Sequence, residues 1–177
     1  MLALLKKKNP YGQAAHQVYA AALEHARSAA FYEEYGVPDS FDGRFDLLLL
    51  HVFLVMHRML GEGGSKEVEG FNQALFDAVF ADMDQTLREM GIGDMGIPKH
   101  MRKMMKGFNG RVHAYEEALT QGRLAGALRK NLYGTLEHPD EGKLAKMEAK
   151  ALEMLEVLRA QSAGDILGGA VCFEEKG

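Results

Sequence analysis

The segment Arg44 to Leu60 (RFDLLLLHVFLVMHRML) restricts the possible folds more than any other part of the 177-residue chain. Its apolar residues neither alternate at a strand's period of two nor leave a broad polar stripe at the helical period; they surround the axis almost completely. A helix of this kind must be covered on most sides, so the remaining chain has to supply a shell around it. Ala and Leu, 22 of each, outnumber the 15 Val, Ile and Thr residues together, which makes that shell helical rather than stranded. The expected fold is all-α: a single compact bundle of about six helices around a nearly all-apolar central one.

The other helices follow from their own patterns. Ala15, Val18, Tyr19, Ala22, Ala26 and Ala29 recur at helical spacing between Gln13 and Tyr35, a small-residue face that permits close packing, and Gly36-Val37-Pro38-Asp39 ends it. Lys66 to Met90 is a clean amphipath with Phe76, Phe80, Met83, Leu87 and Met90 on one face; Asp77, Asp84 and Arg88 share one flank, Asp82 and Glu89 the other. A turn, Gly91 to Pro98, separates it from a helix over Lys99 to Thr120, which Gly107 and Gly110 are expected to loosen. Arg123 to Tyr133 is a short helix, and the last begins at Pro139. Residues 1–12 are thus an N-terminal extension, 13–162 the helical domain and 163–177 a tail. The tail's patch Ala170-Val171-Cys172-Phe173 is compatible with a docked or a frayed arrangement.

A formal net charge of −4 conceals a marked asymmetry. Phe31 to Met95 carries thirteen acids and four bases, whereas Gly96 to Lys130 carries eight bases and two acids. Charge divided in this way suits partners of opposite sign on different faces, unless folding pairs it internally. The lone cysteine, Cys172, excludes an intramolecular disulfide and fits a reducing compartment. The first residues, MLALLKKK, have neither the order nor the length of a secretory leader, and the expected location is cytoplasmic.

No metalloprotease, nucleotide-binding, nucleophile-elbow or paired Glu-x-x-His motif is present, so no catalytic, cofactor-binding or metal-ligating residue is assigned. Acid-base chemistry would require Asp77, Asp82, Asp84 and Glu89 to converge with His51 or His113 in a closed polar pocket. His51 and His57 lie six residues apart, about 120° around the helix, and cannot share a metal unaided; His51 reads as a hydrogen-bonded core histidine. Arg44, Asp46 and Arg58 bracket the apolar helix and are expected to pair with neighbours.

Interaction is the better-supported theme. Lys99, Arg102, Lys103 and Lys106 fall on one face of the helix after Pro98, with Met101, Met104, Met105 and Phe108 opposite. Unbranched, polarizable Met side chains adapt to apolar segments, and a basic face suits an anionic surface such as a ribosome or lipid headgroups. The bases are not interleaved with stacking aromatics, so sequence-specific nucleic-acid reading is not expected. The same helix alone could serve a peripheral membrane or ribosome-docking module.

Two stretches, Phe31 to Leu60 and Leu75 to Leu119, carry a resemblance. YGVPDSFDGRFD, LLHVFLVMHR, FADMDQTLREMGIGDMGIPK and GRVHAYEEAL, in that order and spacing, are similar to the ubiquinol-cytochrome c chaperone family, over roughly residues 10 to 135. The resemblance implies a non-enzymatic assembly role in respiratory complex III, with newly synthesised cytochrome b as the client. It implies association with the ribosome, or with the inner face of the membrane in a bacterial form, and leaves a small partner subunit open. The expected client surface combines Arg44 and Asp46 with Asp82, Asp84, Arg88, Glu89 and Asp94, and continues into Lys99, Arg102, Lys103, Lys106 and Arg111.

Overall fold

The computed structural model describes residues 9–175. Eight helices occur among them and no strand: α1 (Gly12–Ala26), α2 (Ala29–Glu33), α3 (Phe41–Leu60), α4 (Lys66–Glu89), α5 (Ile97–Thr120), α6 (Leu124–Asn131), α7 (Glu141–Ala160) and α8 (Ala163–Leu167). Residues 1–8, the stretch read above for a leader, and residues 176–177 lie outside the described part.

The apolar helix is central. Every residue of α3 from Asp46 to Val55 is buried, and α1, α4, α5 and α7 pack around it. Each fully buried Leu or Phe here contributes on the order of 1.5–3 kcal/mol, which fixes α3 as the element the others assemble on. Its start is sharply defined: Ser40 is extended, and its hydroxyl oxygen accepts the Gly43 N–H at 3.1 Å. A Cβ at Gly43 would collide with the Pro38 carbonyl oxygen, so the chain can fold back over the first turn of α3 only with glycine there.

The first expected helix is divided in two. Ser28 takes φ −55° and ψ 130°, ending α1 and redirecting the chain into α2. The break exchanges helical hydrogen bonding for burial of Phe31, whose ring stands edge-on to His51 at 5.3 Å. The turn between α4 and α5 is a Schellman motif. Gly91 adopts φ +83°, its N–H reaches the Arg88 carbonyl at 3.0 Å, and the Ile92 N–H reaches that of Leu87 at 3.1 Å. Pro98 then occupies the first turn of α5, which runs unbroken through Gly107 and Gly110 instead of loosening. Met101, Met105 and Phe108 pack this helix against the core.

The tail is docked. The Gln161 amide donates to the Cys172 carbonyl at 2.7 Å and accepts the Cys172 N–H at 2.8 Å, and Phe173 is buried. Among the described residues, no helix is long and apolar enough to cross a membrane.

Candidate functional site

The twelve residues expected at a client surface separate into three groups. Asp46 is buried, and Arg111 lies half-buried against it. The Arg111 guanidinium lies 2.7 Å from the Asp46 carboxylate, linking α5 to the start of α3, and a second guanidinium nitrogen donates to the Gly107 carbonyl at 3.1 Å. Burial pushes the Asp46 carboxyl up to about 6, and Arg111 only partly offsets that desolvation. Asp82 also faces inward, towards α1, where the Tyr19 hydroxyl donates to it at 2.5 Å. Burial first, and Asp82 second, hold the Tyr19 phenol far above its ordinary value.

A second group is exposed but engaged within the chain. Arg44 donates to Asp39 at 2.6 Å and lies over the Tyr32 ring. Arg88 bridges Asp84 at 2.8 Å and Asp94 at 2.5 Å, which ties the α4–α5 turn back to α4. Glu89 accepts from the Gln85 amide at 2.8 Å. Arg44 and Asp39 offset one another, Arg88 is shared by two carboxylates, and Glu89 has only the neutral Gln85 amide; exposed pairs of this kind contribute little to stability.

The third group is different. Lys99, Arg102, Lys103 and Lys106 are exposed along α5, and none forms an ion pair among the described residues. The opposite side of the helix holds it in place: Met101, Met104 and Met105 are half-buried against the core, and Phe108 is buried edge-on to Phe76 at 5.3 Å and Phe80 at 5.8 Å. Packing thus takes up most of the methionine face and leaves the cationic face outward, where its uncompensated field favours an anionic partner.

Beside this face, α5 diverges from the first turn of α3 and leaves an open cleft of about 480 Å³. Phe41, Phe45, Leu87 and Met104 form its apolar walls, with Lys103 and Lys106 at the edge. Phe41 and Phe45 also wall a smaller cleft of about 160 Å³ on their other side, against Leu23, Leu48 and Met83. Phe41 lies outside the twelve residues expected from the sequence. Its available signal was a large aromatic at the first position of a helix, directly after the cap and before the buried run begins.

The histidines are kept apart. His51 is fully buried, donates from Nδ1 to the Leu47 carbonyl at 2.8 Å, and receives the His25 Nδ1–H on Nε2 at 2.8 Å. Burial depresses its pKa to about 3, so the ring is neutral at physiological pH. His57 is held by Glu116 at 2.9 Å, and His113 is exposed on α5. Asp82, Asp84 and Glu89 point to other partners and do not converge on His51. No group of three or more His, Cys, Asp or Glu side chains placed to hold a metal occurs among the described residues.

Known proteins are similar to this chain in sequence and in fold. A protein from Xenopus laevis named ubiquinol-cytochrome-c reductase complex assembly factor 1 is 27% identical over 121 residues, 67% of this chain and 60% of that protein. Protein CBP3, mitochondrial, from Saccharomyces cerevisiae is 27% identical over 151 residues, 83% of this chain and 45% of that one. The chain thus spans 60% or less of the length of these relatives. The crystal structure of the Cbp3 homolog from Brucella abortus superposes with a TM-score of 0.79 at 35% identity, covering 93% of this chain and 91% of that one. The model of the family described as ubiquinol-cytochrome C chaperone matches residues 33–173. With most of its length inside that match, the chain belongs to the ubiquinol-cytochrome C chaperone family.

Proposed function

We propose that this chain is a non-enzymatic assembly chaperone for the ubiquinol-cytochrome c reductase, complex III, and that it acts by binding newly made cytochrome b. Family membership supports the process, and one structural observation supports the mode: four cations on α5 that fold without carboxylate partners, next to an apolar cleft. A client made of apolar membrane helices needs its apolar surface covered before insertion, and a charged face adds selectivity and a faster encounter. The test is complementation. Cells lacking the chain are given the wild type or a variant with Lys99→Glu, Arg102→Glu, Lys103→Glu and Lys106→Glu, and assembled reductase is quantified. The variant should fold and restore little enzyme; full restoration would remove the cationic face from the account.

A second reading, docking on a membrane or ribosome surface, draws on Met95. This side chain is 97% exposed at the tip of the turn that leads into the cationic helix, a placement suited to an interfacial anchor. Co-sedimentation with anionic vesicles tests it, since binding through this face must weaken as salt rises.

A further inference from the structure

The first turn of α3 exposes an aromatic ring that the fold does not need to expose. Phe41 is 43% accessible although Phe45, one turn on, is half-buried, and the two rings form a ridge between the two clefts. The floor on both sides is the core itself: Leu48, Met83 and Leu87 are 3%, 7% and 3% exposed and are reached only from within the clefts. A contiguous apolar recess of this kind on a folded surface marks a place that something else covers.

The charges around the recess narrow its chemistry. Of the carboxylates lining it, Asp46 is paired with Arg111, Asp82 accepts only the neutral Tyr19 hydroxyl, and Asp42 has no protein partner among the described residues. Of the cations, Arg44 is held by Asp39, whereas Arg27, Lys103 and Lys106 have no ion pair among the described residues. Three cations without an ion pair stand against two such carboxylates, and the excess lies on the α5 side with Lys103 and Lys106, which favours an apolar occupant with negative charge at that margin. The shape narrows it further. A flat bilayer cannot reach a recessed floor, and one acyl chain fills one cleft, whereas a helix projects side chains from successive turns that can straddle a ridge and enter both. Met104, with its unbranched thioether, lets the wall adjust to different side chains.

We infer that the two clefts beside Phe41 and Phe45 form one groove that docks an apolar polypeptide helix flanked by carboxylates. This rests on the reading of the protein as a holder of an apolar client and specifies the segment of client it grips: a helix end bearing Asp or Glu, placed against Lys103 and Lys106.

The experiment uses the full chain and two labelled synthetic helices that share a Leu/Ala face, one flanked by Glu and one by Lys, read by fluorescence anisotropy. The Glu-flanked helix should bind about tenfold tighter than the Lys-flanked one. Phe41→Ser should weaken it by about tenfold or more, and Lys103→Glu should weaken it while improving the Lys-flanked helix. Leu152→Ser removes a side chain of equal exposure, 43%, on α7 and should change nothing. Equal affinity for both helices, or undiminished binding by folded Phe41→Ser, overturns the groove. Binding of phosphatidylglycerol vesicles, but of neither helix, overturns it in favour of a lipid surface. Capture of nascent cytochrome b separates the two claims. Capture by the wild type that persists in folded Phe41→Ser overturns the groove and leaves the function intact; helix binding without capture by the wild type overturns the function and supports the groove.

Discussion

His25 and His51 share a single hydrogen bond, Nδ1 to Nε2 at 2.8 Å, whose direction is fixed by a third group. The Leu47 carbonyl can only accept, so His51 donates to it from Nδ1 and presents its Nε2 lone pair to His25. The Phe173 ring stacks on His25 at 5.3 Å and stands edge-on to His51 at 5.1 Å, so the C-terminal tail meets the central helix at this imidazole pair.

The buried His51 makes the fold acid-sensitive. Its folded pKa, about 3, lies below the ordinary 6.5, so the unfolded chain binds the extra proton and stability falls as pH drops from 6.5 towards 3. Between pH 7 and pH 5 the wild type should lose about 2 kcal/mol through this group. Urea unfolding of His51→Asn at both pH values should show that part of the loss missing.

The Asp46 pair acts with the opposite sign. A carboxyl raised to about 6 stabilises the fold below its unfolded pKa near 3.8, and this contribution is lost as pH rises through 6. Asp46→Asn should therefore gain relative to the wild type between pH 4 and pH 7. Arg111→Met, which leaves a buried carboxylate unpaired, should cost about 3 kcal/mol at pH 7, with much of the loss recovered when Asp46→Asn is added. Chemical denaturation of the four proteins completes the cycle.

Two glycines should respond in opposite directions. Gly43→Ala drives a Cβ into the Pro38 carbonyl at the start of α3 and should destabilise by about 2 kcal/mol or more. Gly110→Ala, in mid-α5 with no atom within 4 Å of the added Cβ, should stabilise by roughly 0.5–1 kcal/mol. Thermal melts of the two variants provide the comparison.

Most of the architecture was legible because it followed from periodicity. The all-round apolar α3, the amphipathic α4 and the Gly91 stop are properties of adjacent residues, and the structure keeps them. What escaped depended on partners distant in sequence. Ser28 breaks the first helix so that Phe31 can meet His51, and the tail docks because Gln161 and His25 receive Cys172 and Phe173. The charges show the same division. Sequence places Asp82 and Asp46 among acids of similar appearance, whereas only the packing of α1 and α5 assigns them to Tyr19 and Arg111. The basic face of α5 was visible because all four cations lie on one helix and need no distant partner to define them.

The tail contact carries its own prediction. Phe173→Ala removes a buried ring from His25 and should cost about 3 kcal/mol. Protease cleavage after Gln161 should accelerate in parallel, since the clamp on Cys172 depends on the same docking. Limited proteolysis followed by mass spectrometry locates the cut.

Capture of newly made cytochrome b tests the central claim most directly. Cells expressing the affinity-tagged chain are pulse-labelled, the chain is isolated within the time of synthesis, and labelled cytochrome b is quantified in the eluate and again after a chase. Cytochrome b should be recovered strongly in the pulse, decline in the chase as assembled reductase appears, and be lost from the eluate of the Lys99, Arg102, Lys103 and Lys106 charge reversal. A folded wild-type chain that recovers no labelled cytochrome b while reductase assembly proceeds normally would contradict the claim.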